Sequence, residues 1–208
     1  MWFLLTSVLL LAQPQSPLQG GLQALSAQDD LIKRHRDESY LLNQQLAPAL
    51  FRNLQVFVPK TQQWEQYDGP EEPGAGARVR IVHLWAHYCE PCRREFPWLK
   101  NLAQKAQAKY KGRVQYLFVA EDTPSEQMSA FVQKNKQLLP EGRLFHDTQG
   151  QIREALRPGL PSGDLKLPTT LLVDDRGVVR QVFVGPLAEP SDRQPELLAA
   201  IDRLLALL

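Results

Sequence analysis

Cysteine is nearly absent from this chain, which has two in 208 residues. That scarcity excludes a framework of structural disulfides. It also excludes a zinc site built from two cysteine pairs, because structural zinc takes four ligands. There is no surplus of charge of one sign either. Lys and Arg number 24 against 23 Asp and Glu, which gives no electrostatic basis for binding nucleic acid or an anionic membrane surface. No apolar run reaches the roughly 20 residues that a membrane-spanning helix needs. The leading run, Trp2 to Ala12, is interrupted only by Thr6 and Ser7. It suits the apolar region of a secretory signal peptide, although no basic side chain precedes it and the small residues at Ala12 and Ala27 make imperfect cleavage sites. A buried N-terminal strand or helix would read the same way. If the segment is an uncleaved signal, it would tie the chain to a membrane at its N-terminus.

The two cysteines that are present stand together in Cys89-Glu90-Pro91-Cys92. Two thiols at this spacing can close a disulfide with little backbone movement. Ile81-Val82-His83-Leu84-Trp85-Ala86 before them reads as a strand, and Leu99, Leu102, Ala103, Ala106 and Tyr110 after them recur at helical spacing. The cysteines therefore fall where a buried strand ends and a helix begins. Free N–H groups and the positive end of the helix dipole stabilise a thiolate there. Covalent haem attachment would need His directly after the second cysteine, and Arg93 stands in that place. The four histidines are scattered, which argues against a metal centre. A purely structural disulfide would constrain very little of the unfolded chain.

The pattern along the chain is α/β. Gln13 to Gln28 reads as a linker, Asp29 to Leu46 as a charged surface helix stopped near Pro48, and Gln55–Val58 and Trp64–Tyr67 as short strands. Asp68 to Ala77 is a loop. Strands are expected at 79–86, 114–120, 170–174 and 178–184, with a short extended piece at 144–145. Asp175-Arg176-Gly177 marks a hairpin between the last two strands. Helices are expected over 125–136, with Met128, Phe131 and Val132 inward, over 151–157, and at the C-terminus along Leu197, Leu198, Ile201, Leu204, Leu205 and Leu208. This order describes a mixed sheet with helices on both faces.

In the redox reading Cys89 is the attacking thiol and Cys92, one turn inside the helix, resolves the mixed disulfide. Glu90 disfavours a thiolate beside it, while Arg93 and Arg94 favour one. Glu95 follows Cys92 by three and lies on the same helix face, where a carboxylate could take the proton of Cys92; it could equally be a solvated glutamate paired with an arginine. His83 is either a satisfied core histidine or a proton carrier. Pro97 should kink the cysteine helix. Pro168 could be a cis proline or an ordinary proline at a strand entry.

The stretch Leu84-Trp85-Ala86-His87-Tyr88-Cys89-Glu90-Pro91-Cys92-Arg93-Arg94-Glu95-Phe96-Pro97 resembles the active-site segment of thioredoxin-fold proteins, and its Glu95 and Pro97 spacing is most similar to the exported thiol–disulfide reductases of the TlpA, ResA and CcmG group. Leu167-Pro168-Thr169-Thr170-Leu171-Leu172-Val173-Asp174 resembles the cis-proline segment of that group. The resemblance covers roughly Leu54 to Leu208. It implies a thioredoxin fold with an extra N-terminal hairpin, a cis Pro168 beside the cysteines, a Leu167 backbone that pairs with a partner's extended segment, and Glu95 as the acid near Cys92. It implies a periplasmic or otherwise extracytoplasmic reductant of protein disulfides fed by an upstream electron donor, of the kind used in cytochrome c maturation or delivery to metal centres. Its redox group would be the Cys89–Cys92 disulfide, with no other cofactor. The organisation expected is an export segment and linker over 1–27, a helical extension over 28–53 and a thioredoxin-like domain over 54–208. An oxidase or isomerase on the same fold, or a non-enzymatic factor whose thiols pass on a metal ion, are the alternatives. Three positions depart from the group's pattern. Tyr88 replaces a common Trp, His83 takes the place of a buried Asp or Asn, and Arg78-Val79-Arg80 replaces the usual Gly-Lys.

Overall fold

The computed structural model describes residues 29, 32–67, 76–121, 125–139, 144–160, 164–188 and 193–208. The expected signal segment and linker, and most of the loop expected over Asp68–Ala77, lie outside them. The chain divides into two units, Met1–His35 and Arg36–Leu208. Of the first, residues 32–35 are helical. Everything that follows concerns the second.

Seven strands form one mixed sheet: β1 Gln55–Val58, β2 Gln63–Gln66, β3 Val79–Trp85, β4 Val114–Glu121, β5 Leu144–Asp147, β6 Thr169–Asp174 and β7 Val179–Val184, in the order β2-β1-β5-β4-β3-β6-β7. The central pairs β3–β4 and β4–β5 are parallel, and β1–β2, β1–β5, β3–β6 and β6–β7 are antiparallel. The helices are α1 over 36–41, α2 Pro48–Arg52, α3 Glu90–Tyr110, α4 Ser125–Asn135, α5 Gln151–Leu156 and α6 Gln194–Leu207.

Strand alternation divides the interior into two cores. On β3, Val79, Ile81 and Trp85 join one core, with Phe96, Leu99, Leu102 and Tyr110 of α3, Met128 and Val132 of α4 and Leu197, Ile201 and Leu204 of α6. Val82 and Leu84 point the other way, to Leu41, Leu46, Phe51, Leu54, Ile152 and Leu156. Every residue of β3 is buried, because helices cover the sheet on both sides. Trp85, at the end of β3, packs edge-on against Phe96 at 5.0 Å and stacks with Phe118 at 5.2 Å, ring centre to ring centre. This aromatic floor lies under the turn that leads into α3.

The helix expected over Asp29–Leu46 ends earlier, at 41. Asn43 takes a left-handed φ of 64°, and the chain then runs extended beside β7. Asn43 N–H bonds Val179 O at 2.8 Å, Val179 N–H bonds Gln44 O at 3.0 Å and Leu46 N–H bonds Gly177 O at 2.8 Å. Pro48 does not stop a helix; it begins α2, since at a first helical position the missing N–H costs nothing. In α6 the inward residues are Leu197, Ala200, Ile201 and Leu204, whereas Leu208 falls past the last turn and is exposed. Pro97 sits inside α3 without ending it, leaving the Arg93 carbonyl without its usual donor.

Candidate functional site

The site begins where β3 runs out. Cys89 has extended dihedrals, φ −76° and ψ 103°, and caps α3: its Sγ accepts from Cys92 N–H at 3.3 Å. Glu90 and Pro91 fill the first two helical positions, where Pro is well tolerated. The two cysteines form a disulfide with Cα atoms 5.3 Å apart. Cys89 keeps 9% of its surface exposed and Cys92 none, so an incoming reagent meets Cys89 first. Tyr88 beside it is exposed, and its ring lies 5.3 Å from that of His87. Glu90 pairs with Arg94 at 2.9 Å on the solvent side.

Across the site the Leu167–Pro168 peptide bond is cis. Pro168 is buried, its carbonyl accepts from Gly185 N–H at 2.8 Å, and Leu167 packs against the core that contains both cysteines. Thr169 holds this turn from the other side, its Oγ1 donating to Lys166 O at 2.6 Å.

Glu95 stands one turn beyond Cys92 and faces inward, 1% exposed. Its Oε2 accepts from Leu187 N–H at 2.8 Å, and its Oε1 lies 3.3 Å from His83 Nε2. His83 is fully buried; its Nδ1 is 2.8 Å from Thr170 Oγ1 and its ring stacks flat on Phe118 at 5.0 Å. The β3–β6 register sets the first contact, because His83 and Thr170 are direct cross-strand partners. Burial raises Glu95 to about 7, against the weaker downward pull of the Leu187 and Ala188 amides. Burial lowers His83 to about 3. Between those values neither group is charged: Glu95 keeps its proton and His83 is neutral. Tyr116, on the same face of β4, is pushed well above its usual range, first by burial and then by the nearby Glu95.

A cavity of about 460 Å³ opens beside the cysteine turn, bordered by Pro91, Arg94, Glu95, Trp98 and Pro186. Among the described residues no group of three or more His, Cys, Asp or Glu could hold a metal ion, and no helix is long and apolar enough to cross a membrane.

Of the expected site residues, Cys89 caps α3 and Cys92 and Glu95 lie in its first two turns, while Pro168 stands at the entry to β6, its carbonyl bonded to the turn whose Leu187 amide reaches Glu95. Sequence reasoning missed Thr170 and the amides of Leu187 and Ala188. Thr170 is a common strand residue, and a backbone amide leaves no mark in the sequence, so no local signal pointed to either.

A helix-capping cysteine pair joined by a disulfide, set on a mixed sheet that also carries a cis-proline turn, defines a thioredoxin-fold protein. The chain belongs to the AhpC/TSA family, whose model matches residues 55–182. It is 27% identical over 114 residues to Thiol-disulfide oxidoreductase ResA of Geobacillus thermodenitrificans, a match that covers 55% of this chain and 59% of that protein. The chain therefore spans less than two thirds of the length of that relative. It is 21% identical over 132 residues to Sporulation thiol-disulfide oxidoreductase A of Bacillus subtilis, covering 64% of this chain and 72% of the relative. The crystal structure of the N-terminal domain of PilB from Neisseria gonorrhoeae superposes with a TM-score of 0.55 at 17% identity, over 74% of this chain and 90% of that one; this likeness is one of fold.

Proposed function

We propose that this chain is a thiol–disulfide oxidoreductase that reduces protein disulfides through Cys89 and Cys92, and that it works outside the cytoplasm. The observation that carries the reading is the position of Cys89, capping α3 with its sulfur on a backbone amide while Cys92 lies covered behind it. In the reduced protein the Cys89 thiolate attacks a substrate disulfide. One substrate sulfur leaves as a thiolate and a mixed disulfide forms. Cys92 then loses its proton, with Glu95 as the acceptor one turn away, and attacks the Cys89 sulfur. The second substrate thiol departs, two electrons have passed to the substrate, and Cys89–Cys92 is a disulfide again. An upstream donor must reduce it for another cycle. The two named oxidoreductase relatives support this chemistry. The apolar segment at Trp2–Ala12 supports export, and the resemblance to the TlpA, ResA and CcmG group supports a role in cytochrome c maturation.

Cys92→Ser tests it. Attack by Cys89 survives in this variant and resolution does not, so incubation with a disulfide-bonded protein should yield a covalent adduct that dithiothreitol removes, while Cys89→Ser should yield none. Absence of an adduct in a Cys92→Ser protein whose Cys89 still alkylates would overturn the assignment.

A further inference from the structure

Residues 36–46 precede the segment matched by the family model, yet they are built into the domain that carries the cysteines. Leu41 and Leu46 are buried in the second core, and residues 43–46 extend the edge of the sheet along β7 through the hydrogen bonds given above. One polar side chain of this segment reaches further. Glu38 is 8% exposed, and its Oε1 accepts from Val184 N–H and from Arg193 Nη1, both at 3.0 Å. Arg193 lies over the Phe183 ring, 4.8 Å from its centre, and donates its backbone N–H to Leu187 O at 2.8 Å. Val184 is the last residue of β7, and Leu187 belongs to the turn 185–188 that follows it. The same turn gives Gly185 N–H to the carbonyl of cis Pro168 and Leu187 N–H to Glu95. Glu38 thus grips the end of β7 directly and, through Arg193, the turn after it, whose Leu187 amide touches Glu95.

We propose that Glu38 is a positioning residue for Glu95: with Arg193 it fixes the end of β7 and the turn 185–188 so that the amides of that turn stay aimed at the Glu95 carboxyl. The importance of this for turnover rests on the reading of Glu95 as the proton acceptor of Cys92. Amides directed at a carboxylate favour its charged form and oppose the effect of burial. A loosened turn weakens those bonds, and Glu95 keeps its proton to higher pH. The titratable and charged groups facing Glu95 are His83 from β3, Tyr116 from β4, and Cys92 and Arg94 from α3 itself. None belongs to α1, so a change at Glu38 leaves them in place. Coupling of this kind is reciprocal. If Glu38 helps Glu95 to ionise, then protonation of Glu95 must weaken the hold of Glu38 on Val184.

The test uses the full chain, oxidised, with the Glu95 carboxyl followed by carbon NMR as pH is varied. Glu38→Met keeps length and removes the acceptor; it should move the Glu95 midpoint up by about half to one pH unit. Glu38→Gln keeps an oxygen for Val184 N–H and should titrate with the wild type. The pH profile of disulfide reduction should move in step with the carboxyl, through kcat rather than KM. A folded Glu38→Met protein with the wild-type midpoint overturns the proposal, as does a Glu38→Gln protein shifted as far as Glu38→Met. If Glu38→Met does not fold, amide exchange of the wild type decides. Val184 protection should fall as Glu95 takes up its proton, and protection that ignores that titration refutes the coupling. A protein without turnover whose Glu95 still answers to Glu38 would remove the enzymatic reading and leave the positioning role standing.

Discussion

Replacing Glu95 by Gln should change how the stability of this protein depends on pH, and the direction follows from two buried groups that oppose each other. Burial raises Glu95 from its ordinary value of 4.5 to about 7 in the fold. Between these values the unfolded carboxyl is ionised while the folded one holds its proton, so this group makes the protein less stable as pH rises, by about 3 kcal/mol in all. His83 falls from 6.5 to about 3. Between those values the unfolded imidazole is protonated and the folded one is not, so this group makes the protein more stable as pH rises. The two windows overlap from 4.5 to 6.5. There both states bind a single proton, on Glu95 in the fold and on His83 in the unfolded chain, and the two slopes cancel. Gln at position 95 keeps an acceptor for Leu187 N–H and supplies an amide that can donate to His83 Nε2, but it does not titrate. The His83 slope is then uncovered. The stability of the variant relative to the wild type should climb by about 3 kcal/mol from mildly acid to neutral pH and level off above the Glu95 value. Denaturant unfolding of the two oxidised proteins across about pH 4 to 8 measures this, because the disulfide keeps the thiols out of the titration. A stability difference that stays constant over that range would refute the account of the pair.

Thr170→Val keeps the shape of the side chain but takes away the hydroxyl 2.8 Å from His83 Nδ1; stability to denaturant should fall by about 1–3 kcal/mol, the cost of an unpaired buried polar group. Leu41→Ala should cost about 2–5 kcal/mol, because Leu41 is 1% exposed within the second core. A loss below about 0.5 kcal/mol, the usual size of a surface effect, would mean that α1 is not part of that core.

Much of this fold could be read from local pattern. The strands at Gln55–Val58, Val114–Glu121 and Thr169–Asp174 are apolar or alternating runs between turn residues, and α3 and α6 carry their inward residues at helical spacing. Cys89, Cys92 and Glu95 share two turns of one helix, so spacing alone places them together. Their surroundings could not be read in this way. Leu187 lies 92 residues from Glu95 in sequence and Thr170 lies 87 from His83, and only strand register and a turn after β7 bring them into contact. The burial of Glu95 belongs with these long-range facts. A helix-surface glutamate and a buried acid look alike in sequence when the covering turn comes from the far end of the chain. The extension before β1 shows the opposite difficulty. Its residues are polar enough to suggest a surface helix, but Leu41 and Leu46 join the second core and Glu38 meets Val184 of β7 and Arg193, just before α6. Pro48 was ambiguous because proline both ends helices and opens them.

Gly177 closes the hairpin turn between β6 and β7 with a φ of 84°. Turns of this kind commonly exchange glycine for Asn or Asp, which tolerate left-handed backbone. Here that exchange is closed. A Cβ at position 177 would stand 2.3 Å from the carbonyl oxygen of Leu46, a main-chain atom fixed by the hydrogen bond of Leu46 N–H to Gly177 O. The set of residues this turn can accept therefore depends on whether the segment 43–46 is docked against it. In a lineage that lost the segment, position 177 would be free to drift among the ordinary turn residues. A lineage acquiring the segment would need glycine there beforehand. The hairpin glycine and the extension thus constrain each other sterically, although nothing in either stretch of sequence refers to the other.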